Sequence, residues 1–417
     1  MNKKHCSLLT ISILFACNAN SAGFQVAEHS ASGLGRAFSG EGAVADNASV
    51  LARNPAAMTL FENTTFSGAL SIVDPEVNVT QTKIGDADFK QKSSDVAPMQ
   101  FVPAAYFIHP VSDNFAVGFA SFTTYGVATD YPDDIYAGDL AGNTSLISVN
   151  LNPNVAFRLN ERFSVGAGIN LVYAEAELDR HQGGLPLGGA PSDKIISMTG
   201  ETIGFGWNIG ALYELDRDNR FGMGYRSAVN LNFDDGEFTD HYGGVILDPN
   251  KNKTTGQLQL SLPAIFELSA FHQLNDQWAI HYGWQWTQWS TFEELKATSS
   301  ECKDGVCFEK TEHYEDNQRW SVGTTYTVNK EWTLRAGLAY DEQAGEATLS
   351  IPDSDRFWYS AGLTYLWSEN LSLDAGFTLV QSKSGSFKET DAAGNELTFD
   401  AEALAFLSAV QLNYTFK

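Results

Sequence analysis

Residues 23–63 read GFQVAEHSASGLGRAFSGEGAVADNASVLARNPAAMTLFEN. This N-terminal segment is rich in Gly, Ala and Ser, and it shows neither the alternation of a β-strand nor a long amphipathic helix. About forty residues of this composition cannot bury a hydrophobic core of their own. The segment therefore has to be enclosed by the rest of the chain, and the fold of the remainder must provide that enclosure.

Two short helices are predicted within the segment. Asp46 or Asn47 can cap the first helix, which runs to about Arg53. The second starts at Asn54–Pro55, which supply the N-cap and a first helical residue whose φ is already helical, and it runs to Leu60. Both are too short to be stable without packing against other elements.

Residues 1–21 have the features of a secretory signal peptide. Lys3 and Lys4 form a basic start, a short apolar stretch follows, and Ala-Asn-Ser provides a small-residue cleavage site before Ala22. Lipidation at Cys17 is the alternative, although the bulky Phe15 is unusual before such a site. The sequence thus predicts export, with a mature chain that starts at residue 22.

From residue 64 onward, apolar residues alternate with small or polar ones in segments of ten or more residues. The clearest segment is 147–158, where apolar side chains at 147, 149, 151, 155 and 157 alternate with Ser or Asn at 148, 150, 152 and 154. No stretch after the signal has about 18 uninterrupted apolar residues, so no transmembrane helix is predicted. The pattern predicts an all-β fold.

The alternation predicts fourteen strands joined by short turns and long loops in strict succession. The predicted strands are 64–74, 97–109, 114–128, 145–158, 162–180, 203–215, 220–234, 255–271, 276–290, 313–328, 331–342, 355–367, 370–382 and 403–416. An even number of strands with short turns on one side and long loops on the other is typical of an antiparallel transmembrane β-barrel. Fourteen strands enclose an interior too wide for side chains alone to fill, so residues 22–63 are predicted to plug a barrel formed by 64–417.

Aromatic residues and charge agree with a barrel in a membrane. Aromatics make up 12% of the chain, and Trp and Tyr recur near predicted strand ends, where amphipathic rings meet lipid headgroups. They are Trp278, Trp320, Trp332, Tyr340, Tyr365 and Trp367. The formal net charge of −25 excludes electrostatic binding of nucleic acid.

Cys302 and Cys307 lie close together in the sequence CKDGVC. In an exported chain, one close pair favours a disulfide across a tight loop. Metal binding is the alternative, but no His or second Cys pair lies alongside. No metal and no cofactor are expected.

Several motifs resemble those of FadL-type long-chain fatty acid transporters. They are AGFQ at 22–25, SGLGRAFSGEGAVAD at 32–46, RNPA at 53–56, YGVAT at 125–129, GFGWNIGALYELD at 204–216 and IPDSDRFWYSAG at 351–362. The resemblance covers the whole mature chain. It implies a fourteen-stranded outer-membrane barrel, with an N-terminal hatch inside, that takes up long-chain fatty acids without an energy source. In that family the ligand binds among the loops, then in a pocket behind the hatch, and leaves sideways into the outer leaflet.

The resemblance also suggests residue roles. Arg180 and Lys296 match the family's basic pair for the ligand carboxylate, although either could instead be a solvated strand-end cation or pair with a neighbouring acidic residue. Phe24 matches an aromatic residue at the pocket, or is ordinary packing. Asn54, Pro55 and Ala56 match the hatch motif that would face the wall opening. Gly126 matches a kink that would form the lateral exit, or is a strand glycine that allows twist.

Other functions remain as alternatives. Some family members take up aromatic hydrocarbons such as toluene, but Arg180 and Lys296 favour a carboxylate ligand. An open diffusion porin is a further alternative, against which the predicted hatch argues. An outer-membrane lipase would need a Ser/His constellation, but the sequence contains no Gly-x-Ser-x-Gly elbow, so no enzymatic activity is expected. The expected partners are a long-chain fatty acid, outer-membrane lipid and lipopolysaccharide, with the protein as a monomer. A first capture site is predicted in loops 181–202 and 235–254.

Overall fold

The computed structural model describes residues 23–243, 246–247 and 251–417. The predicted signal peptide, residues 1–21, and the alternative lipidation site at Cys17 lie outside the described residues. Within the described part of the chain, no helix is long and apolar enough to cross a bilayer.

β-Strands dominate the structure. They are β1 (Thr65–Ile84), β2 (Ala87–Ser93), β3 (Gln100–Ser112), β4 (Phe115–Phe122), β5 (Val127–Asp130), β6 (Asn143–Arg158), β7 (Phe163–His181), β8 (Lys194–Glu214), β9 (Asn219–Arg226), β10 (Val229–Asp240), β11 (Lys253–Leu262), β12 (Ile265–Gln273), β13 (Trp278–Thr287), β14 (Glu294–Thr298), β15 (Val306–Thr311), β16 (Asn317–Thr327), β17 (Trp332–Asp341), β18 (Arg356–Ser368), β19 (Leu371–Ser382), β20 (Gly385–Thr390) and β21 (Glu396–Thr415).

These segments form one closed antiparallel barrel of fourteen strands, which confirms the predicted fold class. The ring closes where β1 pairs with β21, from Thr65 opposite Thr415 to Ile84 opposite Leu397. Several of the fourteen strands are interrupted, among them those that consist of β4 with β5, β9 with β10, and β11 with β12. Closure pairs each strand with a neighbour on both sides over most of its length, as a sheet in hydrocarbon requires.

Several strands are longer than predicted. β1 continues to Ile84 rather than ending at 74, β8 begins at Lys194 rather than 203, and β21 begins at Glu396 rather than 403. Four further strands, β2, β14, β15 and β20, form hairpins or extensions in the predicted loops. These parts have polar residues on their outward face because they stand beyond the hydrocarbon, so an apolar pattern does not reveal them.

The two faces of the wall follow the predicted alternation. In β6, Asn150, Asn152 and Asn154 are buried inside, whereas Leu151 and Phe157 are 39% and 48% exposed on the outside. Large apolar side chains are exposed in the same way on most other strands. A continuous apolar outer surface of this extent is stable only in contact with hydrocarbon.

Aromatic pairs mark both borders of this apolar surface. Trp278 packs on Tyr326, with ring centroids 4.6 Å apart, at the short-turn end. Trp320 stacks on Tyr340 at 6.1 Å toward the loop end. Six residues separate Trp320 from Tyr326 along β16, which corresponds to roughly 20 Å of strand. Because strands of such barrels tilt by about 35–45°, this separation corresponds to roughly 15 Å along the barrel axis, and the two pairs lie toward opposite sides of the apolar band.

The N-terminal segment, residues 23–63, contains four short helices. They are α1 (Ala31–Leu34), α2 (Glu41–Val44) and two 3-10 helices, Ala48–Ala52 and Pro55–Leu60. The last two correspond to the predicted pair: the side chain of Asn47 accepts from the Ser49 N–H, and that of Asn54 accepts from the Ala56 N–H. The sequence did not predict α1 and α2.

The segment contacts strands from many parts of the ring. Helix α1 touches β18, β19 and β21, α2 touches β9 and β12, and the helix Pro55–Leu60 touches β6, β7 and β8. Glycines in the strands allow this approach: a Cβ on Gly337 would lie 2.1 Å from the Arg36 carbonyl oxygen, and one on Gly222 would lie 2.1 Å from that of Gly42. The packing therefore depends on wall positions without side chains.

Ion pairs also join the segment to the wall, and Asp46 is the only partly exposed member among Arg36, Glu41, Asp46 and Arg335. The Arg36 guanidinium lies 2.6 Å from a Glu41 carboxylate oxygen and 2.9 Å from one of Asp46. Asp46 also pairs with Arg335 of β17 at 2.9 Å. Pairing lowers the high cost of burying each charge.

We expect Gly337→Val to destabilise the protein by roughly 1–3 kcal/mol, because the new side chain must displace the Arg36 backbone from the wall. Thermal unfolding of the purified protein and sugar-driven liposome swelling would detect lower stability and a more open interior. Gly385→Val is the matched control, because a Cβ there meets no atom within 4 Å. Equal behaviour of the two variants would contradict this account of the packing.

Candidate ligand-binding site

An apolar cavity of about 100 Å³ lies beneath the loops. Like most small-molecule sites, it is largely apolar with a few polar groups. The residues around it come from the N-terminal segment, from five or more strands and from the loop before β18. Its principal apolar residues are Phe24, Leu146, Phe233, Leu260, Phe292 and Ile351.

Phe24 brings the N-terminal segment to this cavity. Its ring packs edge-to-face on Trp289, Phe292 and Tyr125, with centroid distances of 4.8, 5.3 and 5.9 Å. Such arrangements stabilise aromatic pairs beyond the burial of their surface. Phe24 thus packs against its aromatic neighbours and also lines the cavity, so the expectation of a pocket residue and that of a packing residue are compatible.

The interruption between β4 and β5 lies next to Phe24. The ladder between β3 and β4 ends at the pair Ala105–Ser121, and no ladder pair with β3 involves residues 122–130, because β5 pairs only with β6. The N-terminal segment takes up backbone groups there: the Gly126 N–H donates to the Phe24 carbonyl oxygen at 2.9 Å, and the Val26 N–H donates to Thr124 at 2.8 Å. Gly126 therefore lies in a real break in strand pairing.

Arg180 lies directly behind the cavity wall. It is 1% exposed, and its guanidinium donates to the Ser350 hydroxyl at 2.9 Å and to the Thr144 hydroxyl at 3.2 Å. Ser350 and Thr144 both line the cavity. These two hydroxyl groups thus lie between the Arg180 guanidinium and the cavity.

Lys296 lies on the other face of its strand. In the β14–β15 hairpin it stands opposite Glu309, and the two side chains form an exposed ion pair at 2.6 Å. Its neighbours Leu295 and Ala297 line the cavity, whereas Lys296 borders a separate polar cleft. Because side chains alternate along a strand, Lys296 is directed away from Arg180's side of the hairpin.

Lys310, rather than Lys296, lies on the cavity face of the hairpin. It stands opposite Leu295 in the hairpin, and directly opposed residues of antiparallel strands share a face. Its ammonium group lies 3.1 Å from Glu389 and 3.9 Å from Glu312. Sequence reasoning missed Lys310 because its face depends on the register of a hairpin placed in a loop.

The hatch motif at residues 54–56 is held by backbone groups. The Asn54 amide donates to the Gly42 carbonyl oxygen at 2.8 Å and to that of Ala211 in β8 at 2.9 Å. Its oxygen accepts from the Ala56 N–H at 3.0 Å, while Pro55 begins the 3-10 helix. One side chain thus joins two parts of the segment to the wall.

The hairpin beside the cavity carries a disulfide between Cys302 and Cys307, with Cα atoms 5.2 Å apart. Cys307 lines the cavity, and Cys302 pairs with Leu247 through an isolated bridge. The predicted capture loops contribute Met198 and Phe238 to the lining.

Comparisons with known proteins agree with this architecture. A family model described as "Outer membrane protein transport protein (OMPP1/FadL/TodX)" matches residues 12–416. A long-chain fatty acid transport protein of Escherichia coli O6:H1 is 38% identical over 450 residues, covering 98% of each chain. Outer membrane protein P1 of Haemophilus influenzae is 37% identical over 465 residues, covering 100% of each.

Solved structures share the fold. The crystal structure of a Pseudomonas aeruginosa FadL homologue superposes with a TM-score of 0.84 at 22% identity, covering 95% of this chain and 100% of that one. The P. putida toluene transporter TodX superposes with a TM-score of 0.67 at 15% identity, covering 89% and 94%. The chain belongs to the OMPP1/FadL/TodX family and is a fourteen-stranded β-barrel of the bacterial outer membrane.

Proposed function

We propose that this protein takes up long-chain fatty acids across the outer membrane by passive diffusion. The observation that carries the proposal is the apolar cavity with the buried cation Arg180 directly behind Thr144 and Ser350. Relatives named long-chain fatty acid transport protein, at 37–38% identity over almost the whole chain, support it.

The chemistry of the cavity suits an acyl chain with an acidic head group. Each buried CH₂ contributes about 0.8 kcal/mol to binding, so an apolar cavity holds the chain better than a water-filled pore. A carboxylate next to Ser350 would receive charge-assisted hydrogen bonds from Arg180. We propose Lys310 as the second cation in place of Lys296, because it shares the face of Leu295.

The N-terminal segment, residues 22–63, acts in this proposal as a hatch. Its residues in the described part of the chain are almost all buried, and its contacts with many strands leave little room for a direct path along the barrel axis. The break at residues 122–126 offers a lateral path into the outer leaflet. The motif at residues 54–56 would hold the hatch against the wall opening. Gly126 would keep the exit narrow but open.

The protein would act as a monomer among outer-membrane lipid and lipopolysaccharide. The closed ring supports this, because it leaves no edge strand for pairing with another chain. The proposal involves no chemical reaction and no energy source, since a ligand that partitions into lipid moves down its own gradient.

Uptake of aromatic hydrocarbons is the second candidate. The aromatic cluster of Phe24, Trp289 and Phe292 favours it, as does the shared fold with a protein described as a toluene transporter. The buried Arg180 argues for an acidic ligand, because a hydrocarbon makes no use of a cation. Affinities for oleate and toluene, measured side by side on the purified protein, separate the two candidates.

We expect Arg180→Ala and Lys310→Ala each to weaken oleate binding by roughly tenfold to a hundredfold, because a hydrogen bond to a charged group contributes about 1.5–3 kcal/mol. Binding of oleyl alcohol should change much less. Lys296→Ala is the matched control and should bind oleate like the wild type. Heat-modifiable migration in gels checks that each variant forms the barrel, and unchanged oleate affinity in both test variants would exclude this head-group site.

We expect Gly126→Phe to abolish uptake of labelled oleate by cells while leaving oleate binding to the purified protein intact. The larger side chain would fill the break beside Phe24, and Gly126 has no positive φ that would strain a substitution. Gly385→Phe, in an open part of β20, serves as the control. Normal uptake by Gly126→Phe would rule out an exit at this position.

A further inference from the structure

Two carboxylates already surround the proposed cationic end of the cavity. Glu389 and Glu312 lie 3.1 and 3.9 Å from the Lys310 ammonium group. The Glu312 side chain is completely buried, and neither of its oxygens has a hydrogen-bond partner among the described residues. Glu389, in contrast, accepts a hydrogen bond from the Leu349 N–H.

The other charged groups near Glu312 come from several elements. Arg180 of β7 and the exposed His313 act on it electrostatically, together with Lys310 and Glu389. Tyr314 lies two residues away and interacts with it, and Asp139 faces Arg180 from the loop after β5. Arg180 and Lys310 thus balance Glu312 and Glu389 before any ligand arrives.

A ligand carboxylate would add a third anion to this balanced group. An unpaired charge in a buried site costs several kcal/mol, so the extra charge has to be neutralised. Of the two glutamates, Glu389 has its charged form stabilised by a backbone N–H and by the Lys310 ammonium group, which lies closer to Glu389 than to Glu312. Glu312 has neither, and burial raises its pKa.

We propose that Glu312 takes up one proton whenever a fatty acid carboxylate binds, and so sets the protonation state in which the site accepts its ligand. This inference rests on the proposed function. A fatty acid that arrives neutral transfers its O–H proton to the Glu312 carboxylate and remains as an anion beside Lys310 and Arg180. A ligand that arrives as an anion binds while Glu312 takes its proton from water. Only O–H bonds break and form in either route.

The sign of the pH dependence follows from this coupling. Below the pKa that Glu312 has without ligand, it is already neutral, and affinity does not depend on pH. Between that pKa and the higher pKa in the complex, affinity falls by up to tenfold per pH unit as pH rises, because one proton must be bound. Above the second pKa the affinity is again constant.

The test measures affinity between about pH 5 and pH 9, the range in which buried glutamates with raised pKa values titrate. The ligands are oleate and a long-chain alkyl sulfonate, whose head group stays ionised, so that its own titration does not contribute. The wild type should lose affinity for the sulfonate as pH rises. Glu312→Gln should show a flat profile and bind the sulfonate about tenfold more tightly than the wild type at the alkaline end.

Three variants serve as controls. Glu309→Gln lies in the same hairpin but on the opposite face and should keep the wild-type slope. His313→Asn and Asp139→Asn should also keep the wild-type slope of affinity against pH. These two variants distinguish Glu312 from its titratable neighbours. Asp139 is included because burial raises its pKa to about 6. Calorimetry of the wild type in buffers with different ionisation enthalpies measures the proton uptake directly and needs no variant.

The outcomes distinguish the two levels of the proposal. If both ligands bind, the role of Glu312 is overturned by either of two results: a pH slope that persists in Glu312→Gln, or no proton uptake in calorimetry. In both cases the proposed function still stands. Absence of oleate and sulfonate binding to the wild type at every pH overturns the proposed function and this inference together.

Discussion

Backbone hydrogen bonding in hydrocarbon is the constraint on which this structure depends. Every N–H and C=O of the wall has to find a partner within the protein, and the pairing of β1 with β21 completes the ring that provides it. Beyond Ser121 the ladder with β3 stops, and the N-terminal segment supplies part of the missing pairing: Phe24 and Val26 are backbone partners there, and the His29 ring contacts the Thr123 carbonyl oxygen at 2.8 Å. The break and the segment therefore depend on each other.

The interior shows how a wide barrel accommodates charge and apolar surface in separate places. Toward the α1 and α2 helices, Arg36, Asp46 and Arg335 form a continuous group of paired charges. Toward the loops, the lining is largely apolar; Arg180 lies behind the lining residues Thr144 and Ser350, and Lys310 pairs with Glu389 and Glu312. The group around Arg36 is thus separate from the largely apolar cavity.

The candidate site combines elements that are far apart in the chain. Phe24 comes from the start of the described residues, Arg180 from the end of β7, Lys310 from a loop hairpin and Ser350 from the loop before β18. Each position is ordinary within its own element. Their convergence gives the apolar cavity a polar, buried end, and that end carries both the proposed head-group recognition and the proposed proton uptake.

The sequence alone determined the number of strands, their two faces and the family, because strand alternation and the motifs at 32–46 and 351–362 are local properties of the chain. It also located the helices that follow Asn47 and Asn54, since their caps act within a few residues. It did not reveal the extended ends of β1, β8 and β21, where the outward face is polar. The tertiary structure alone decided that Lys310 rather than Lys296 shares the cavity face of Leu295. The alternation along a strand shows which of its residues share a face. Which face meets the cavity depends on the register of the hairpin and on where the hairpin lies against the barrel.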